Sequence, residues 1–166
     1  MQKIQWRSGK ARQNGTWPID CSPSFTETAK TSLAHIRLKI NLTLVHSRGQ
    51  TIQDVLDTST KPVIASHSGC RALLDHPRNL TDTQIMNITG TCGIVCVPFA
   101  KKFVGTMAGV AEHIDHIIQV TGTDGQVGIG SDLDGAEMVP GVMGAEDWSL
   151  GVVDTLAARG FTDAAI

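Results

Sequence analysis

Short apolar runs alternate with longer amphipathic stretches from about residue 40 to the end of the chain. The runs are brief and rich in β-branched residues, which is typical of buried strands rather than helices. We expect strands at residues 40–46, 62–66, 90–99 and 126–132. Residues 1–35 show no sustained strand or helix period, so we expect irregular structure there.

Each apolar run is followed by a stretch with helical spacing or helix-capping residues. Thr81 is placed as the N-cap of one helix, and Gly122 follows a longer apolar stripe that it is expected to end. The expected helices cover residues 51–56, 82–88, 106–121 and 146–158, and Thr162 would cap one further helix.

Consecutive strand and helix units without hairpin turn signals predict a parallel sheet, because parallel neighbours need a crossover connection. The predicted fold class is therefore α/β. The pattern fits either an open doubly wound sheet or half of an eight-stranded (β/α)8 barrel, and it does not separate the two. In both, the carboxyl ends of the strands face the pocket in which ligands bind.

Composition limits the classes of function. The chain has 166 residues, of which 41% are hydrophobic, which is enough for one domain with a core. Its net charge of −2 gives no basic surplus to hold nucleic acid or an anionic membrane. The sequence shows neither a signal peptide nor an apolar run long enough to span a bilayer, so we expect a cytoplasmic protein.

The cysteines form no Cys-x-x-Cys pair and are too sparse for a disulfide scaffold. Cys92 and Cys96 are separated by an even number of positions in the third apolar run. An even separation places both on one face of a strand, so we expect them to be core thiols rather than zinc ligands.

Three polar residues stand where predicted strands end: His46, His67 and Asp132. In a parallel sheet these side chains would meet at one rim. Neutral imidazoles on neighbouring strands suit Zn²⁺, and a nearby carboxylate suits proton transfer to or from a metal-activated water. Arg78, in the loop after His67, either pairs with a substrate carboxylate through its forked donors or is merely solvated.

Two other patterns admit a metal. Asp132 and Asp134 in SDLDG fit a tight turn or a calcium loop, but Met143 stands where a calcium loop needs a glutamate. His113 and His116 are one helical turn apart, a spacing that could hold a metal. We favour a structural role for this histidine pair, because the apolar face of that helix must pack on the sheet.

The motifs PVIASHSGCRAL, DHPRNLTD, HIDHI and GIGSDLDG, in this order and spacing, resemble the membrane (renal) dipeptidase family of zinc peptidases. The resemblance begins at about Leu42 and divides the chain into an irregular leader, residues 1–35, and a family-like part, residues 36–166. It implies the C-terminal half of a (β/α)8 barrel of the metal-dependent hydrolase class. It also implies hydrolysis of dipeptides by a metal-activated hydroxide.

The resemblance assigns roles to four residues. His46 and His67 correspond to the histidines that bind one of the family's two zinc ions. Arg78 corresponds to the arginine that holds the substrate, and Asp132 to the aspartate that handles the proton. The family's remaining zinc ligands, a His-x-Asp pair and a bridging glutamate, match nothing in residues 1–35.

A further departure concerns the first histidine motif, where Thr43 and Val45 replace the family's Asp and Ser. These departures predict a truncated dipeptidase that binds zinc weakly and has little activity alone. The non-catalytic alternative is a fragment or pseudoenzyme that forms homo-oligomers through unpaired strand edges. A third hypothesis, a phosphoesterase or deaminase of the same barrel class, fits the combination of DHPRNL and SDLDG less well.

Overall fold

The computed structural model describes residues 42–44, 49–59, 61–142 and 148–161. These residues form alternating strands and helices. The strands are β1 (Leu42–Thr43), β2 (Val63–Ala65), β3 (Ile94–Val97) and β4 (Val127–Ile129). The helices are α1 (Gly49–Thr58), α2 (Asp82–Gly90), α3 (Lys101–Val104), α4 (Met107–Thr121) and α5 (Trp148–Ala158).

The strands form one parallel sheet in the order β1-β2-β3-β4. The order of the strands across the sheet is therefore their order along the chain, which means that each crossover connection moves to the next position in the same direction across the sheet. Each crossover contains at least one helix, because parallel neighbours cannot be joined by a tight hairpin. The predicted α/β class and the parallel sheet are confirmed.

The ends of the two best-defined helices follow from their capping residues. Thr81 accepts a hydrogen bond from the Gln84 backbone, and the Gln84 side chain accepts one from the Thr81 backbone, which forms a capping box at α2. Gly122 ends α4 with φ 75°, a left-handed conformation that glycine adopts at little cost. Both predicted caps are confirmed. None of the helices described has the length and apolar character needed to cross a membrane.

The core lies between the sheet and helices α2 and α4. On β2 and β3, the alternate residues Val63, Ala65, Val95 and Val97 are fully buried. Apolar faces of the two helices cover these residues. Burial of each Val or Ile side chain contributes about 1.5–3 kcal/mol to the stability of the fold. The buried Val and Ile residues of these helices are Ile85 and Ile88 of α2 and Val110, Ile114, Ile117 and Ile118 of α4.

Two features differ from the sequence-based expectations. Helix α3 was not predicted, because a helix of four residues is too short to show a 3.6-residue period. The expectation that Cys92 and Cys96 are thiols on one strand face is wrong for Cys92. Cys92 lies in the turn before β3, has φ 58° and is disulfide-bonded, whereas Cys96 lies in β3 as a free thiol.

Candidate active site

His67 lies just beyond the carboxyl end of β2, which ends at Ala65. The next residue, Ser68, donates its N–H to the Cys96 carbonyl oxygen at 2.9 Å, which keeps the chain beside β3 after the strand has ended. The Ser66 hydroxyl lies 2.9 Å from His67 Nδ1. His67 is therefore held at the rim of the sheet by the residues on both sides of it.

Arg78 contacts the other ring nitrogen of His67. The distance between Arg78 Nη2 and His67 Nε2 is 2.9 Å. A guanidinium group only donates hydrogen bonds, so Nε2 is the acceptor. The neutral ring then has its proton on Nδ1, which donates to the Ser66 hydroxyl. Nε2 is thus the unprotonated nitrogen, the form that binds a metal, although its lone pair accepts from Arg78 in this structure.

A buried amide fixes the loop that contains Arg78. Asn79 is 1% exposed. Its Oδ1 accepts the N–H of Gly69 at 3.1 Å, and its Nδ2 donates to the carbonyl oxygens of Leu74 and Phe103, both at 2.9 Å. These bonds connect both ends of the loop between β2 and α2 to the segment after β3. Sequence reasoning gave Asn79 no role, because only its burial and partners distinguish it from an ordinary loop asparagine.

The start of the same loop is attached to helix α4. His113 is 2% exposed, and its Nδ1 accepts the N–H of Cys70 at 2.7 Å. Burial, with a smaller contribution from His116, lowers the pKa of His113 from 6.5 to about 4, so the ring is neutral at neutral pH. His116 lies instead 2.8 Å from Asp82. The two histidines bind different partners, which supports the structural role favoured for them.

Phe103 of α3 supports Arg78 at the rim of the sheet. The ring is 1% exposed and lies under the Arg78 guanidinium, whose Cζ is 4.7 Å from the ring centroid. Lys102 Nζ lies 4.9 Å from the same centroid, and His76 meets the ring edge-on at 4.8 Å. Cation–π contacts of this kind orient positive groups on an aromatic surface. Two cations are therefore held close to one buried ring at the rim.

Asp132 follows β4 at the same end of the sheet. Its φ of 58° is in the left-handed region, which is uncommon for a residue with a side chain. A Cβ atom on Gly135 would lie 2.1 Å from Asp132 Oδ1, so the carboxylate lies directly over Gly135. The Asp132 carbonyl accepts the Gly135 N–H at 3.0 Å and closes the turn. The SDLDG segment is thus a tight turn in which the missing side chain of Gly135 makes room for the carboxylate.

The backbones that carry His67 and Asp132 approach each other. A Cβ on Gly130 would lie 1.7 Å from the Ser66 carbonyl oxygen, so Gly130 and Ser66 are in contact. The Ser131 carbonyl accepts the Phe99 N–H at 3.1 Å. The structure thus joins His67 to Arg78 directly and brings the chain before Asp132 against the chain before His67.

Of the two metal ligands predicted from the sequence, the structure describes one. His46 lies outside the described residues, and His67 within them. Across the described ranges, no three His, Cys, Asp or Glu side chains gather into a metal site. The tautomer of His67 fits zinc, since Nε2 is unprotonated and Nδ1 is oriented by Ser66, as the second nitrogen of a metal-binding histidine normally is. A metal at Nε2 would take the place of the Arg78 hydrogen bond.

Comparison with solved structures assigns the class of the fold. A metallopeptidase from Rhodobacter sphaeroides, solved with a phosphinate mimic of the dipeptide L-Ala-D-Ala, superposes with a TM-score of 0.71 and 32% sequence identity. The match covers 84% of this chain and 42% of the Rhodobacter chain. The chain therefore has the α/β fold of TIM-barrel-type metallopeptidases.

Sequence comparison then assigns the family. The model of membrane dipeptidase, peptidase family M19, matches residues 11–166, and the chain belongs to this family. The match begins within residues 1–35, the segment in which the motifs gave no family resemblance. This chain is similar to an uncharacterized dipeptidase of Schizosaccharomyces pombe, with 39% identity over 68% of this chain and 29% of that protein. An uncharacterized Klebsiella pneumoniae protein is 30% identical over 89% of this chain and 58% of its own length.

Proposed function

We propose that this chain acts as a zinc-dependent dipeptidase at the rim formed by His67, Arg78 and Asp132. The observation that carries the proposal is the hydrogen bond between Arg78 and His67, at the carboxyl end of a parallel sheet, in a member of a dipeptidase family. It supports the proposal because a side chain able to bind a carboxylate lies beside a side chain able to bind a metal. This chain spans 42% of the solved Rhodobacter relative, so the activity of the whole protein is part of the proposal.

His67 and His46 are the residues proposed to hold zinc. When bound, zinc lowers the pKa of a water molecule, so that an attacking nucleophile exists at neutral pH. Ligation through Nε2 of His67 would release the Arg78 guanidinium from that nitrogen. Ser66 would keep the ring oriented through Nδ1. Because residues 1–35 contain no His-x-Asp pair to supply the further ligands that the resemblance implies, we expect weak zinc binding and slow turnover.

Arg78 is proposed to bind the C-terminal carboxylate of the dipeptide. The guanidinium has donors on both terminal nitrogens and can form two parallel hydrogen bonds with a carboxylate. Phe103 supports the guanidinium through its ring, and Asn79 fixes the backbone next to it. Arg78 would therefore select substrates that end in a free carboxylate at a fixed distance from His67.

Asp132 is proposed to carry the proton. A carboxylate beside a hydrolytic site can accept a proton from the attacking water and pass it to the leaving amine. The turn closed by Gly135 holds the Asp132 carboxylate in one place. Its left-handed backbone conformation is consistent with a functional constraint, since strained conformations concentrate at such sites.

The proposal is tested by measuring hydrolysis of a dipeptide panel by the full chain with added Zn²⁺, using Asp132→Asn and Asp134→Asn as a matched pair. Asp134 is exposed and two residues away, so its substitution controls for loss of a negative charge in the turn. We expect slow hydrolysis that requires zinc, falls about 100-fold or more in Asp132→Asn and is retained in Asp134→Asn. Equal rates in the two variants, or hydrolysis of phosphoesters instead of dipeptides, would contradict the proposal.

A further inference from the structure

Arg78 and Lys102 are cations without a carboxylate partner in the described residues. The ion pairs found there involve Lys101, His116 and Arg159, and none includes Arg78 or Lys102. Both unpaired cations contact the ring of Phe103, at distances of 4.7 and 4.9 Å from its centroid. A buried aromatic ring thus contacts two positive charges, and within the described part of the chain neither forms an ion pair with a carboxylate.

The neighbouring lysine shows the opposite arrangement. Lys101 Nζ forms a 2.8 Å ion pair with Glu137, a residue of the segment after β4. Lys101 and Lys102 are adjacent in α3 and differ in what they face. Lys101 connects two rim segments, whereas Lys102 faces the ring that supports Arg78.

The charge around Phe103 is positive on balance. The pKa of His76, which meets the ring edge-on, is lowered by burial and by the positive charges of Lys102, Arg78 and Arg71. Among the causes, only Asp75 acts in the opposite direction. The groups around the ring therefore favour a negatively charged ligand.

We propose that Arg78 and Lys102 form a two-cation subsite that selects dipeptides with an acidic C-terminal residue, Asp or Glu. In this arrangement Arg78 binds the main-chain carboxylate and Lys102 binds the side-chain carboxylate. The inference rests on the proposed dipeptidase function and adds the substrate class. Lys102 is exposed, so its pairing energy is modest and corresponds to a preference of about fivefold.

The kinetic test compares Ala-Glu with Ala-Gln, two dipeptides of nearly equal size that differ by one negative charge. The ratio of their kcat/KM values is measured for the full chain, for Lys102→Gln and for Lys101→Gln. We expect the wild-type chain and Lys101→Gln to prefer Ala-Glu by about fivefold, and Lys102→Gln to lose that preference. The preference in the wild type should also decrease with ionic strength, because an exposed ion pair is screened by salt.

A binding test separates this inference from the proposed function. Glutamate and glutamine, the corresponding C-terminal products, are titrated into the full chain and followed through the histidine NMR signals. We expect glutamate to bind more tightly than glutamine to the wild type and Lys101→Gln, but not to Lys102→Gln. If no dipeptide is hydrolysed but this difference persists, the proposed function fails and the subsite stands. If glutamate and glutamine bind equally to the wild type, or if both lysine variants behave alike, the subsite is refuted.

Discussion

The loop after β2 and the loop after β4 hold their functional residues by different means. In the first loop, Asn79 and His113 make buried hydrogen bonds to backbone groups far away along the chain, and Arg78 lies on top of this framework. In the second loop, Asp132 is held by its own left-handed backbone and by the space over Gly135. A substitution under the first loop should therefore affect global stability, whereas one in the second should affect the local geometry of the carboxylate.

The largest effect is expected for Asn79→Ala. The substitution removes two buried and one part-buried side-chain hydrogen bonds and leaves the Gly69 N–H and two carbonyl oxygens without their Asn79 partner. We expect a loss of about 2–4 kcal/mol in the free energy of unfolding, measured by urea denaturation. The control is Asn87→Ala in α2, for which a change of less than about 0.5 kcal/mol is expected. Similar losses in both variants would show that Asn79 does not fix the loop.

The second prediction concerns the dependence of stability on pH through His113. Its pKa is about 4 in the folded chain and near the ordinary 6.5 when unfolded. Above pH 6.5 the His113 ring is neutral in both the folded and the unfolded chain. Between pH 6.5 and 4 the ring is protonated in the unfolded chain but stays neutral in the folded chain. Stability is therefore lost as the pH falls from 6.5 towards 4, by up to about 3 kcal/mol from this group.

The measurement compares the wild type with His113→Asn at several values of pH. Asparagine keeps an acceptor oxygen for the Cys70 N–H but does not titrate. We expect the wild type to lose more stability than the variant between pH 6.5 and 4. Parallel stability curves for the two chains would show that His113 is not the group responsible.

The smallest effect on stability is expected for Gly135→Ala. A Cβ at this position collides with the Asp132 carboxylate, which must then move. We expect a loss of about 1 kcal/mol in stability but a fall of about tenfold or more in kcat for dipeptide hydrolysis. Gly125→Ala is the control, since its Cβ would meet only Thr123 Oγ1 at an ordinary 3.6 Å. A Gly135→Ala variant with unchanged kcat would mean that the Asp132 position does not limit catalysis.

Much of the fold could be predicted from local patterns. The short apolar runs predicted β2, β3 and β4, and the capping residues Thr81 and Gly122 predicted the ends of two helices. Both kinds of prediction succeed because strand burial and helix capping depend on residues that are close in sequence. The order of the strands also followed, since successive crossovers without hairpins leave a parallel sheet as the natural outcome.

The supporting contacts of the site could not be predicted in this way. The bonds from Asn79 to Phe103 and from Cys70 to His113 join residues 24 and 43 positions apart, and no local pattern specifies such pairs. The cations around Phe103 were missed because α3 is too short to show periodicity. The direct contact of Arg78 with His67 is likewise tertiary, although both residues were singled out as site candidates from sequence.

The central claim, that His67 at the rim of the sheet is a zinc ligand, is tested most directly by comparing zinc affinity in His67→Ala and His76→Ala. Both histidines lie in the segment between β2 and α2, and both are next to Arg78 in space. We expect His67→Ala to weaken zinc binding by about tenfold or more and His76→Ala to leave it unchanged. Equal zinc affinities in the two variants would contradict this claim.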